Sequence, residues 1–265
     1  MVGKHSEPQL TQGEGLGGAS LWLKGQILEA QAVAPHPEAH VVFLGGTLTA
    51  GHGVAHPFAQ QVGALLERPV ARFGLPNAGV DALLALTVGL EAARAARITV
   101  VETPGLHGLN NRFYHVHRKR NDRFVAALPP LIALYPRTDF TGINFVGHLT
   151  RVLQHENAAA YERVEAELRL QWAARMAELI GIAGPEVLLL TLRAEDPAGP
   201  RGGIMAAGVT PQMLTALSLQ TGAQLLECIL PEPKATPYSV IPGAFAHDLI
   251  ATRLQFTLET LFDDV

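Results

Sequence analysis

The sequence predicts an α/β domain in which a parallel sheet is covered by helices on both faces. Short, mostly apolar runs recur at Val41–Leu44, Pro69–Phe73, Ile98–Val101, Glu186–Leu192 and Ala223–Leu230, the pattern of strands buried on both sides. Helical stretches separate them, and the strand-helix-strand-helix-strand spacing over residues 41–101 implies parallel pairing with right-handed crossovers. Turns containing glycine follow the first two strands, as in Gly45-Gly46-Thr47-Leu48 and Gly74-Leu75-Pro76-Asn77-Ala78-Gly79. Ligands of open α/β sheets bind outside the carboxyl ends of the strands, so these turns are where chemistry is expected.

Taken in order, residues 1–30 read as an N-terminal extension, polar and glycine-rich at its start and disordered in part. An outlying hairpin or helix is expected from Leu21 to Val33. Residues 31–265 read as a single domain, because neither an internal repeat nor a second hydrophobic core is visible. His56-Pro57-Phe58 opens a helix to about Glu67, with proline where a first turn tolerates it. Asp81 is a good N-cap for the alanine- and leucine-rich run to Ala96. Residues 102–123 form a long polar connection, of the kind that in a compact domain is usually functional or disordered. Phe113 and Tyr114 within it argue for packing. Residues 123–182 read as a helical insertion ending in an amphipathic run, Ala158–Ile180, with Val164, Leu168, Trp172, Met176 and Leu179 on one face. The insertion either caps the sheet or supplies a contact for a homo-oligomer. Thr210-Pro211 caps another helix, and a last helix runs from about Gly243 to Leu261.

Composition narrows the partners. In 265 residues, a hydrophobic content of 48% is enough for a substantial core, and a net charge of −4 gives no global reason to expect nucleic acid or an anionic membrane. The lone cysteine, Cys228, cannot form an intrachain disulfide and sits in the apolar run Leu225–Leu230, where a buried, unreactive thiol is expected. The N-terminal residues Met1–Glu7 show no apolar core of signal-peptide length, and no segment reaches the roughly 18 to 20 apolar residues of a membrane span. A reducing cytoplasm is the expected compartment.

At the carboxyl edge of the sheet the chain places Thr47 after the first strand, Asn77 and Gly79 after the second, and Gly108 and Asn110 after the third. His247 opens the final helix. Together these offer a hydroxyl nucleophile, amide donors for an oxyanion and an imidazole base, the components of acyl transfer.

These blocks resemble the SGNH (GDSL-like) hydrolases. Gly45-Gly46-Thr47-Leu48 stands where the family has Gly-Asp-Ser-Leu, Gly79 matches the second block, Gly108-Leu109-Asn110-Asn111 the third, and His247 the last. The run Asn111-Arg112-Phe113-Tyr114-His115-Val116-His117-Arg118-Lys119-Arg120-Asn121-Asp122-Arg123-Phe124 further resembles the signature of an uncharacterised bacterial family with an SGNH-like architecture, a match that brings no activity with it. The resemblance implies a flavodoxin-like, three-layer α/β/α domain whose five-stranded parallel sheet has the order 2-1-3-4-5. It also implies an acyl-ester hydrolase or acyltransferase for a small-molecule or carbohydrate ester, working without a cofactor. In that scheme Thr47 attacks, His247 relays the proton, and Thr47 N–H, Gly79 N–H and the Asn110 amide hold the oxyanion.

Two positions depart from the family. Threonine replaces serine at position 47, and its methyl group crowds the attacking oxygen. Ala244 stands three residues before His247, where the family has the aspartate that orients the imidazole, a loss that in triad enzymes reaches ~10⁴ in rate. Glu232 or Glu102 is available to serve from another turn. The histidines His52, His56, His107, His115 and His117 do not argue for a metal, because Arg118, Lys119 and Arg120 follow directly. With Arg112, these cations suit an anionic ligand, alongside Asn77, Asn111 and His117, or else pair with Asp122 and Asp139. The alternative to catalysis is a degenerate SGNH-like protein that binds an anionic or carbohydrate ligand in the same cleft.

Overall fold

The computed structural model describes residues 18–23, 26–31, 41–196, 206–231 and 243–263. Besides two antiparallel hairpins, β1 (Gly18–Leu23) with β2 (Gln26–Gln31) and β6 (Tyr114–Val116) with β7 (Phe124–Ala127), the chain builds one parallel sheet. Its strands are β3 (Val41–Gly45), β4 (Val70–Gly74), β5 (Ile98–Glu102), β8 (Glu186–Ala194) and β9 (Gln224–Leu230). They lie in the order β4-β3-β5-β8-β9. Counted among these five alone, that is second, first, third, fourth, fifth, as expected. All four neighbouring pairs are parallel.

Alternation along β3 shows why its apolar run is unbroken. Val42 and Leu44 join a core built with α3 (Val80–Leu84), α4 (Thr87–Ala95), α7 (Ala158–Ile182) and α8 (Pro211–Thr221), whereas Val41 and Phe43 join a second core built with α2 (Phe58–Leu65) and α9 (Ala244–Asp263). With both faces covered, every side chain of the strand is buried, and each is worth about 1.5–3 kcal/mol relative to exposure. Thr210 caps α8 as expected, its hydroxyl accepting from Met213 N–H at 3.2 Å. Cys228 is buried in the second core, and burial pushes its thiol up to about 11. No helix of the described residues is long and apolar enough to cross a membrane.

Three local expectations are corrected. The run from Asp81 to Ala96 is two helices, α3 and α4, with Gly79 rather than Asp81 at the N-cap position. Asp81 lies inside the first turn, where its carboxylate instead accepts from Asn110 N–H at 2.8 Å and Asn110 Nδ2 at 2.9 Å and pairs with Arg175. Residues 123–182 do not begin as helix: Phe124 is buried and Val125 exposed, the alternation of a strand, and β7 pairs back onto β6 before α5 (Pro129–Leu134) and α6 (Val146–Glu156) begin. The expectations for residues 1–17, for 32–33 and for Glu232 lie outside the described residues.

The amphipathic face of α7 is core. Val164, Leu168, Trp172, Met176 and Leu179 are all fully buried. Trp172 also donates its indole N–H to Pro104 O at 3.1 Å, which ties α7 to the loop leaving β5. Trp172→Ala is expected to cost about 3–5 kcal/mol in chemical denaturation, and Trp172→Phe, which keeps most of the apolar contact and loses the hydrogen bond, a smaller amount of about 1–2 kcal/mol.

Candidate active site

The turn from β3 into the short helix α1 (Thr47–Ala50) is held from below by Glu102, the last residue of β5. Its Oε2 accepts from Gly46 N–H at 2.9 Å, Thr49 N–H at 2.9 Å and Thr49 Oγ1 at 2.6 Å. Burial raises the carboxyl above its ordinary value of 4.5, and hydrogen bonds from Thr49, Gly46 and the Leu48 backbone oppose that rise. The turn needs glycine at position 45 because a Cβ there would overlap Thr49 Oγ1 and stand 2.6 Å from the Glu102 side chain. Thr47 is thereby placed at the carboxyl edge of the sheet. Its Oγ1 accepts from Asn77 N–H at 3.1 Å and donates to Asn77 Oδ1 at 3.5 Å.

A cleft of about 360 Å³ opens beside this turn. Its wall is contributed by Gly46 to Leu48, by Asn77 to Gly79 after β4, by Glu102 to Gly105 with His107 and Gly108 after β5, by Asn121 and Asp122, by Phe145 to Gly147 at the start of α6, and by Leu192, Ala206 and Ala207. Two carboxyl groups, Glu102 and Asp122, line it, and among the described residues no Lys or Arg does. Asp122 Oδ1 is buried without a hydrogen-bond partner. His107 is held by Tyr161, whose hydroxyl lies 3.0 Å from Nε2. Burial holds the imidazole down at about 4, so it is neutral near pH 7.

Of the residues expected at the site, Thr47, Asn77, Gly79 and Gly108 line this cleft. Asn110 and His247 do not. Gly79 N–H is already donated to Asn121 Oδ1 at 2.8 Å, and a Cβ at position 79 would overlap Gly108 O, so the two turns press together there. The Asn110 side chain is spent on Asp81 and, through Oδ1, on Val116 N–H at 3.0 Å. His247 is buried between α9 and α2: Nδ1 accepts from Phe58 N–H at 3.0 Å, and the ring stacks on Phe58 at 5.7 Å. The imidazole thus caps α2, satisfying a backbone donor that Pro57 at the N-cap cannot.

The polar run after β5 is likewise engaged internally. Asn111 is buried, accepting from Phe113 N–H at 2.8 Å and Tyr114 N–H at 3.2 Å. His117 Nδ1 accepts from Lys119 N–H and Arg120 N–H. Arg112 pairs with Glu167 at 3.2 Å and Arg120 with Asp122 at 3.6 Å, so the pairing expected at Asp122 is present. Arg112, His117, Arg118, Lys119 and Arg120 stay off the cleft wall, although Phe113, Tyr114 and Phe124 anchor their segment in the core. The residues of the wall that sequence reasoning missed are His107, Asn121 and Asp122, together with a direct place for Glu102. Their signal was position, an acid ending a strand and the loop after it, since strand ends of a parallel sheet face the ligand side.

A family model described as "Domain of unknown function (DUF6473)" matches residues 30–260. The chain belongs to this family. A search of curated proteins finds no match. Among solved structures, the chain is similar to a two-domain esterase active on acetylated mannans, with 12% identity over 84% of this chain and 50% of that one and a TM-score of 0.46. This chain therefore spans half the length of that esterase. It is also similar to an acetyl-xylooligosaccharide esterase variant from Geobacillus stearothermophilus, with 12% identity over 82% and 92% of the two chains and a TM-score of 0.47. A carbohydrate esterase family 2 enzyme with a carbohydrate-binding domain, from Myceliophthora fergusii, gives 9% identity over 90% and 72% and a TM-score of 0.47.

The capping role of His247 has a stability consequence. Burial first, then the Arg72 charge, lowers its pKa from 6.5, with Asp248 opposing. Below pH 6.5 the unfolded chain binds a proton that the folded chain resists, so the cap's contribution is complete above 6.5 and is lost as pH falls toward the depressed folded value. His247→Ala is expected to cost about 1–2 kcal/mol at neutral pH. The gap from wild type, measured by thermal or denaturant unfolding, is expected to narrow at about pH 5.

Proposed function

We propose that this protein is an acyl-ester hydrolase or acyltransferase of SGNH type, acting on a polar, carbohydrate-like ester through the Thr47 hydroxyl. One observation carries this reading: Thr47 Oγ1 stands on the wall of the cleft at the carboxyl edge of the sheet, oriented by Asn77 N–H on a turn that Glu102 holds. Thr47 N–H and Asn77 Nδ2 find no acceptor among the described residues and are available to a developing oxyanion. Carboxyl groups without a facing Lys or Arg among the described wall residues favour a neutral, hydroxyl-rich ligand over an anionic one.

A binding protein without turnover is the second reading. It is favoured by the engagement of Gly79 N–H, Asn110 and His247 in internal hydrogen bonds. Hydrolysis of p-nitrophenyl acetate and of an O-acetylated oligosaccharide separates the two. Under the hydrolase reading, Thr47→Ala lowers kcat/KM by about 10²-fold or more, whereas Thr47→Ser keeps or raises it because only a methyl is removed. Wild-type protein that binds the oligosaccharide in calorimetry yet turns over no ester would establish the binding reading instead.

A further inference from the structure

We infer that Asp122 and the start of α6 form the subsite for the alcohol part of the ester, and that this part is a neutral sugar carrying free hydroxyls. The inference rests on the reading that the cleft takes a polar, carbohydrate-like ester, and it gives the recognition of that ester's hydroxyls to one patch of wall. Asp122 Oδ1 is buried without a hydrogen-bond partner, alone among the side-chain atoms of the described residues. The other oxygen is engaged, since Oδ2 pairs with Arg120 at 3.6 Å. A buried acceptor left without a donor costs stability, so its place on a cleft wall calls for a donor carried by whatever binds there.

The same residue holds the entrance of α6. Asp122 O accepts from Val146 N–H at 2.9 Å, and the next N–H along, that of Gly147, is spent on no described acceptor. His148 and Leu149 both donate to Phe145 O at 3.0 Å, and no side chain caps the helix. Phe145, Val146 and Gly147 share the cleft wall with Asp122. A Cβ on Gly147 would meet nothing within 4 Å, so the backbone stands open there. Phe145 adds apolar surface beside these polar groups: it is 43% exposed, and its ring lies 4.1 Å from the Arg123 guanidinium.

An unpaired acceptor beside an unpaired donor selects the chemistry of the occupant. Hydroxyl groups donate and accept, and so meet both. An anion can take only the N–H, an ammonium only the carboxyl oxygen, and an apolar alcohol neither. A pyranose carries hydroxyls at its edge and C–H groups on its faces, which suits a polar patch next to an exposed aromatic ring. In a carbohydrate ester the free hydroxyls belong to the alcohol part, so this patch falls to the leaving group while Thr47 faces the acyl carbon.

Two variants remove the two groups separately. Asp122→Ala deletes the acceptor, and Gly147→Pro deletes the N–H at the second position of α6, the position that Pro130 already occupies in α5. The probes are mono-O-acetylated methyl glycosides (glucoside, xyloside and mannoside) and cyclohexyl acetate, which keeps a six-membered ring without the hydroxyls. For the glycoside turned over best, Asp122→Ala is expected to raise KM about 10-fold or more and Gly147→Pro about 3- to 10-fold, with kcat held within about threefold. Cyclohexyl acetate is expected to change by less than about twofold in either variant. The thermal midpoint of Asp122→Ala is expected at or above that of wild type, because an unpaired acceptor has been removed. Should Gly147→Pro not fold, Asp122→Ala alone carries the test. Equal effects on the glycosides and cyclohexyl acetate, or no effect on either, would overturn the subsite and leave the hydrolase reading standing wherever Thr47→Ala still abolishes turnover. If wild type hydrolyses none of these esters, the hydrolase reading falls, and saturation-transfer NMR with the unesterified methyl glycosides decides the subsite by itself. A binding signal lost in Asp122→Ala upholds it, and an absent or unchanged signal overturns it.

Discussion

The rest of the site depends on one buried carboxylate under one turn. Glu102 closes the end of β5 and reaches across to the neighbouring strand, where it gathers two backbone N–H groups and a hydroxyl from the first residues after β3. Burying an acid is costly unless it is hydrogen-bonded, and charge-assisted bonds of this kind are the stronger class, so the turn and the acid hold each other in place. The same contact excludes a side chain at position 45 and fixes where Thr47 emerges. The direction in which the Thr47 hydroxyl faces is therefore a property of β5 as much as of β3.

Around that turn the polar residues serve mainly as fasteners. Asn121 is fully buried, accepting from Gly79 N–H and Ala82 N–H and donating to His117 O at 3.0 Å, so it caps α3 from a distant loop. Asp81 draws together Asn110 and Arg175, and Trp172 reaches Pro104. The ties of Asn121 and Trp172 satisfy groups that would otherwise be buried without a partner, at a cost of about 1–3 kcal/mol apiece. What is left over for a ligand among the described residues is short by comparison and includes Thr47 N–H, Asn77 Nδ2, Gly147 N–H and the partnerless Asp122 Oδ1.

That division explains which residues could be read in advance. Strands and the buried face of α7 follow from periodicity and from the requirement that a parallel sheet be covered twice, and these were legible from Val41–Leu44, Ile98–Val101 and the Val164-to-Leu179 stripe, whereas the strand order was expected only from the family resemblance. The start of α3 at Gly79 and the β6–β7 hairpin were not, because each is decided by a partner far along the chain: Asn121 at the start of α3, and β6 for the strand containing Phe124. Histidine, asparagine and arginine in a loop look alike whether they face a ligand or a backbone group. His247 and Asn110 were placed at the sheet edge on sequence order and prove to be bonded to Phe58 and Asp81.

By itself the sequence determined the class of the fold, the edge at which a cleft would open and the presence of Thr47, Asn77, Gly79 and Gly108 on it, since strand direction alone carries those residues to one side. Only the tertiary structure decided which polar groups remain available. Hydrogen-bond capacity is consumed pairwise across long separations, as between Phe58 and His247 or Gly79 and Asn121, and no local pattern records which partner claims a given donor.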